Sequence, residues 1–144
     1  MKYKSVHSVL LDCSREEAWE KLKDLSLAPR YVPGVASMSF LTERKKGLGA
    51  TRRVFPQKLD EEVIGWEEGK EVVLGLSKSG KQNFFPFERA LFRYLLMDGK
   101  PVSMELSMEY DSIFGSAGHL LFGGIIDSRI KKTALALREF YNKK

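Results

Sequence analysis

The sequence is poor in the residues that staple or metallate small folds, and it has no long apolar run. Cys13 is the only cysteine among 144 residues. With no second thiol an internal disulfide is excluded, and a chain that folds without one suits a reducing compartment. Just ahead of a helix cap, Cys13 reads as a small apolar residue rather than a nucleophile. Zinc needs three or four ligands at set spacing; His7, His119 and Cys13 supply no such pattern, so no metal site is expected. The densest apolar run, 120–126, is broken by Gly123 and Gly124 and falls far short of the roughly 20 residues of a spanning helix. Residues 1–11 carry charges and alternate polar with apolar side chains, unlike a secretory signal. A soluble, cytoplasmic chain without a transmembrane segment is the expectation.

What is present is ordinary for a folded protein: 43% hydrophobic and 30% charged residues, which argues against disorder. The length fits a single domain over 1–144, able to bury roughly 70% of its unfolded surface without disulfide or metal. The net charge of +5 raises the question of an anionic partner. Its densest cluster is Arg44-Lys45-Lys46, with Arg52-Arg53 nearby. A nucleic-acid footprint would gather such charges on one face among stacking aromatics; here they are spread along the chain, and nucleic acid is not expected as a partner.

Residues 3–12 alternate as a strand does. Ser14-Arg15-Glu16-Glu17 is a capping box, and behind it Ala18, Leu22 and Leu25 recur at helical spacing beside Trp19. Pro29, Pro33 and Gly34 are expected to end that helix, with one further turn around Arg30-Tyr31-Val32. From there the period is two, over candidate strands 35–43, 50–55, 59–67, 71–77, 87–96 and 102–111, with turn residues at 46–49, 68–70 and 97–99. Short connections favour antiparallel pairing. Val102, Met104, Leu106, Met108 and Tyr110 share one face of the last strand, and Ala90, Phe92, Tyr94 and Leu96 share one face of the strand before it. Matching those faces requires an odd loop, so a three-residue Met97-Asp98-Gly99 turn is expected, with Gly99 left-handed, Tyr94 opposite Val102 and Phe92 opposite Met104. After Phe114 the period turns helical: Phe122, Ile126, Ile130, Leu137 and Tyr141 form an apolar stripe over about 117–142.

Two short motifs fail on context. Gly75-Leu76-Ser77-Lys78-Ser79-Gly80-Lys81-Gln82 nearly matches a phosphate-binding loop, but Gln82 stands where magnesium needs a hydroxyl and Asn83-Phe84-Phe85-Pro86 does not open a helix. Gly115-Ser116-Ala117-Gly118 has the spacing of a KH clamp without its flanking helices, and reads as a loop feeding the last helix.

The order of elements resembles the superfamily of START lipid-transfer domains, polyketide cyclases and birch-pollen-allergen-like proteins. Val9 to Trp19 looks like that family's opening strand and capped helix, Tyr31-Val32-Pro33-Gly34-Val35 like its approach to the second strand. Gly49-Ala50-Thr51-Arg52 matches its third strand and Glu62-Val63-Ile64-Gly65-Trp66 its fourth. The resemblance implies an α+β helix-grip fold, in which a curved antiparallel sheet of six to seven strands wraps a long C-terminal helix. It also implies a mostly apolar cavity between sheet and helix. The candidate lining is Trp66, Phe92, Tyr94, Met104, Leu106, Met108, Tyr110, His119 and Phe122, an aromatic and methionine set of the kind that lines ligand pockets. The function expected is binding or carriage of a small, mostly apolar ligand, lipid-, sterol- or polyketide-like, with no cofactor. Tyr94, Tyr110 or His119 would orient a polar group; core packing explains each of them as well. One alternative is a cyclase- or dehydratase-type enzyme in the same cavity, with His119 as general acid or base and a tyrosine as oxyanion donor. Another is a protein-interaction module using the basic loop 44–46. Two titratable groups within the cavity would favour the enzyme, a purely apolar lining the carrier.

Overall fold

A computed structural model of the protein describes residues 3–76, 87–112 and 115–142. The phosphate-loop-like segment beyond Leu76 lies outside the described residues. Ser14 caps the first helix, α1 (Arg15–Leu22), its Oγ accepting from the Glu17 N–H at 3.1 Å and donating to Glu17 Oε1 at 3.2 Å. The helix buries Ala18, Trp19 and Leu22. It stops earlier than the spacing suggested. Leu25 lies in a separate 3₁₀ turn, Leu25–Leu27, capped by Asp24, whose side chain accepts from the Ser26 N–H. Pro29 then falls in the first turn of α2 (Ala28–Tyr31). Proline is suited there because the first-turn N–H groups have no helical acceptor, so Pro29 begins a helix instead of ending one.

Seven antiparallel strands form one sheet in the order β1-β7-β6-β5-β4-β3-β2. They are β1 (Tyr3–Leu10), β2 (Ser37–Phe40), β3 (Thr51–Phe55), β4 (Leu59–Glu67), β5 (Glu71–Leu76), β6 (Phe87–Met97) and β7 (Ser103–Ser112). A bulge between Val63 and Gly65 shifts the β4–β5 register and turns Ile64 outward, half exposed. It lets Val63 and Trp66, three residues apart, both contribute to the core. Glycine is needed at 65, since a Cβ there would lie 3.0 Å from the Val73 side chain.

The β6–β7 hairpin keeps the expected faces but not the expected register. Tyr94 pairs with Leu106, Phe92 with Met108 and Leu96 with Met104, leaving a five-residue loop over 98–102. Gly99 sits at φ 159°, not in the left-handed region. Pro101 has no N–H for the ladder and its ring restricts the residue before it, so pairing resumes only at Ser103.

The sheet closes on α3 (Gly115–Asn142), which starts earlier than expected: Gly115–Gly118 is its first turn, not a loop. It buries Ile126, Ile130, Thr133, Ala134, Leu137 and Tyr141. Its C-terminal carbonyls, orphaned as in any helix, accept from Lys21 Nζ, at 3.0 Å from the Tyr141 oxygen, and Asn142 Oδ1 accepts from the Asp12 N–H. In mid-helix, Asp127 Oδ1 takes the Ser5 hydroxyl at 2.6 Å and His7 Nε2 lies at 3.0 Å. The Ser5 hydrogen bond, and then that of His7, hold this carboxyl below the usual aspartate range. The architecture is the helix-grip fold. No helix among the described residues is long and apolar enough to cross a membrane.

Candidate ligand site between the sheet and the C-terminal helix

Between α2, the sheet and the middle of α3 lies a cavity of about 70 Å³. Its apolar walls include Ala28, Val32, Val35 and Val54, with Phe92 and Leu106 from the sheet and Ile130 from α3. Four lining residues are polar or charged: Arg52, Glu61 and Tyr94, with Thr133 at the helix side.

Arg52 and Glu61 are direct partners across β3 and β4. Ala50, just before β3, and Arg52 and Val54 within it are all buried, so a guanidinium occupies a core position, 2% exposed. Its Nε and Nη2 each lie 2.9 Å from Glu61 Oε1, and Nη1 donates to the Leu25 carbonyl at 2.6 Å. The Tyr31 phenol lies close to it. Burial by itself would lower the guanidinium pKa; Glu61, ahead of Tyr31 and Tyr94, outweighs this and leaves it raised. The charge is therefore permanent, and paired. On the opposite face the neighbouring pair, Arg53 and Asp60, repeats the pairing with Arg53 Nε 2.6 Å from Asp60 Oδ1.

Tyr31 and Tyr94 lie beside Arg52 and Glu61, and Tyr31 is edge-on to the Tyr94 ring at 6.4 Å and to the Tyr141 ring at 6.3 Å. Desolvation pushes all three phenols up, Tyr94 and Tyr141 well above the ordinary value. They are neutral hydrogen-bond donors at pH 7, not bases. Tyr141 Oη is buried without a hydrogen-bond partner among the described residues, and such a hydroxyl usually costs stability. Tyr141→Phe is expected to raise stability by about 1 kcal/mol in urea unfolding at pH 7. A raised folded pKa contributes stability that is complete below the unfolded value of about 10 and is lost as pH rises through the folded one. The substitution should therefore also flatten the alkaline loss of stability; a destabilised variant with an unaltered alkaline slope contradicts both statements.

The residues singled out from the sequence separate into groups. Phe92, Tyr94 and Leu106 line the cavity. Met104 and Met108 share their face but are close-packed, at 0% and 3% exposure, and fill the core beside it. Phe122 is half-buried against the same core. Trp66 sits apart, edge-on to Trp19 at 5.2 Å; the two indole N–H groups donate to the two oxygens of Glu68, and these bonds, that of Trp66 first, lower the carboxyl's pKa. Tyr110 and His119 are brought together elsewhere, the phenol oxygen 2.7 Å from His119 Nδ1 and Tyr3 stacked on the imidazole at 4.1 Å. They face an open groove between β1 and α3 that also exposes Lys4 and Asp127. His119 is thus not available to a ligand in the cavity, and the general acid–base role expected for it there is withdrawn.

The charged pair escaped the sequence reading, although a signal was present. Arg52 stands between Ala50 and Val54, and Glu61 between Leu59 and Val63, at inward positions of two adjacent strands. Opposite charges at facing core positions of one hairpin mark a buried ion pair.

No protein-family model matches the sequence, and no curated protein does. Solved structures do resemble it in fold. A protein from Thermobifida fusca, known from its NMR structure, superposes with a TM-score of 0.79 at 16% identity over 96% of this chain and 92% of its own. Major latex-like protein 151 from Panax ginseng gives 0.74 at 10% identity over 98% of both chains. The di-domain aromatase/cyclase BexL of the BE-7585A biosynthetic pathway gives 0.74 at 11% identity over 95% of this chain and 45% of its own. The likeness is one of fold, and it is the fold of the superfamily that the sequence resembles.

Proposed function

We propose that the protein binds a small, mostly apolar molecule carrying a neutral polar group, held in the cavity against Arg52, Glu61 and Tyr94. The observation that carries this reading is a buried ion pair on the wall of an otherwise apolar cavity. A structural core gains little from such a pair, which apolar residues of equal volume often replace without loss. The pair is neutral overall, so it favours a carbonyl or hydroxyl over a carboxylate, which would compete with Glu61. Size adds a constraint. Pockets for drug-sized ligands run to roughly 300–1,000 Å³, and about 70 Å³ matches roughly two molecules of liquid water. A lipid- or sterol-sized ligand requires Tyr31, Tyr94 or α2 to move aside. The test is a pair of matched probes, 2-hexanone and hexanoate, followed in amide-resolved NMR spectra. The ketone should shift resonances around Val54, Phe92, Tyr94 and Leu106 and bind more tightly than the acid. Val54→Phe, which fills the cavity, should weaken binding at least tenfold, roughly the cost of losing one buried apolar contact surface, while the fold is kept. Equal shifts in parent and variant would place the binding elsewhere.

A second reading is favoured by the same lining. Glu61 and Tyr94 put titratable groups on the cavity wall, and a neutral phenol beside a permanent guanidinium can donate to a developing oxyanion. A cyclase- or dehydratase-type reaction would therefore rest on Tyr94 and Arg52 in place of His119. Native mass spectrometry of protein from its own host separates the two: a retained, unaltered molecule supports carriage, and its conversion over time supports catalysis.

A further inference from the structure

The half of α3 farthest from its C-terminal anchors exposes large aliphatic side chains that nothing in the cavity reading uses. Leu120, Leu121 and Ile125 are 84%, 69% and 60% exposed. Leu121, Ile125, Ser128 and Lys132 recur at helical spacing, so they form one stripe; Leu120, Gly124, Lys131 and Leu135 form the stripe beside it. Each stripe begins apolar and turns basic at Lys131 or Lys132, the second then closing on the half-exposed Leu135. Arg129, Lys131, Lys132 and Arg138 are all exposed. The acids on the exposed residues of this helix are Asp127, already engaged by Ser5 and His7, and Glu139.

We propose that the water-facing side of α3 docks on an anionic lipid bilayer, the apolar half dipping to the boundary of the acyl chains and the basic half lying over the headgroups. An amphipathic surface of this composition binds through apolar area and through attraction to anionic lipid together. The net charge of +5 acts in the same direction. The alternative occupant, a second copy of this chain, fits the charge less well. Pairing two such helices in parallel sets the basic halves together, and pairing them antiparallel sets the lysines of one against the leucines of the other. The proposal is independent of what the cavity holds.

The test is co-sedimentation of the full chain with vesicles of phosphatidylcholine alone and of phosphatidylcholine with roughly 30% phosphatidylserine. The expected result is binding at least about tenfold tighter to the anionic vesicles, weakening as salt rises. Leu121→Asn with Ile125→Asn should abolish it, and Lys131→Gln with Lys132→Gln should weaken it about tenfold to thirtyfold. All four positions face water, so the fold should survive, and the comparison of the two vesicle types needs no variant. Three results overturn the proposal: equal or no binding to the two vesicle types, unchanged binding by the aliphatic double variant, or a dimer in sedimentation equilibrium that this variant dissociates.

Discussion

Arg52→Met is expected to cost the fold about 3–5 kcal/mol, the magnitude seen when one partner of a buried ion pair is removed. The Glu61 side chain is 12% exposed and accepts two hydrogen bonds from this guanidinium; without it a carboxylate remains in the apolar cavity wall with little water to replace the lost partner. The Leu25 carbonyl loses its donor as well. The double variant Arg52→Met, Glu61→Leu should recover most of that loss, since an apolar pair of similar volume is often as stable as the ions it replaces. Urea unfolding of the parent, both single variants and the double variant gives the coupling directly. A double variant as unstable as Arg52→Met would mean that the pair contributes packing and not compensated charge. If the double variant is stable but no longer binds the ketone probe, the pair is retained for the ligand.

Leu137→Ala is expected to cost about 2–5 kcal/mol, because Leu137 is 0% exposed where α3 meets the sheet and its truncation opens a cavity. Leu121→Ala, on the same helix but exposed, should change stability by less than about 0.5 kcal/mol. The contrast, read from denaturation midpoints at constant slope, distinguishes a helix held by its packed stripe from one held by its own propensity. Comparable losses at the two positions would show that the first half of α3 is packed against something in solution.

The elements were legible because their periods are clean. Leu59–Glu67 is a strand with the bounds that alternation gave, and the polar and apolar faces of β7 fell as read. Register was harder to read: face parity permits any shift by an even sum, and Pro101, which moves the pairing, acts on the ladder and not on the alternation. The lining was legible only in part for a related reason. Alternation places Met104, Leu106, Met108 and Tyr110 on one face, but whether a residue of that face borders a cavity, fills the core or reaches a groove depends on what lies across from it. For Leu106 that is the space beside Ile130, for Tyr110 it is His119. Arg52 was passed over because it was counted with Arg53 among the spread basic charges, and Glu61 was given no role, although their positions in the alternation put them inside.

The sheet order has a consequence for how the molecule is made. Among the described residues β1 pairs with β7 alone, Tyr3 lying opposite Tyr110. As the chain emerges from the ribosome, β2 to β6 can pair successively, each strand with the next in sequence, whereas β1 has no neighbour until about a hundred further residues have followed it. Closure of so long a loop comes late, and until then one edge of the growing sheet and the inner side of β1 both stand open to foreign strands. The same late step brings Ser5 and His7 to Asp127, so the first strand and the last helix are secured to each other in one event at the end of folding.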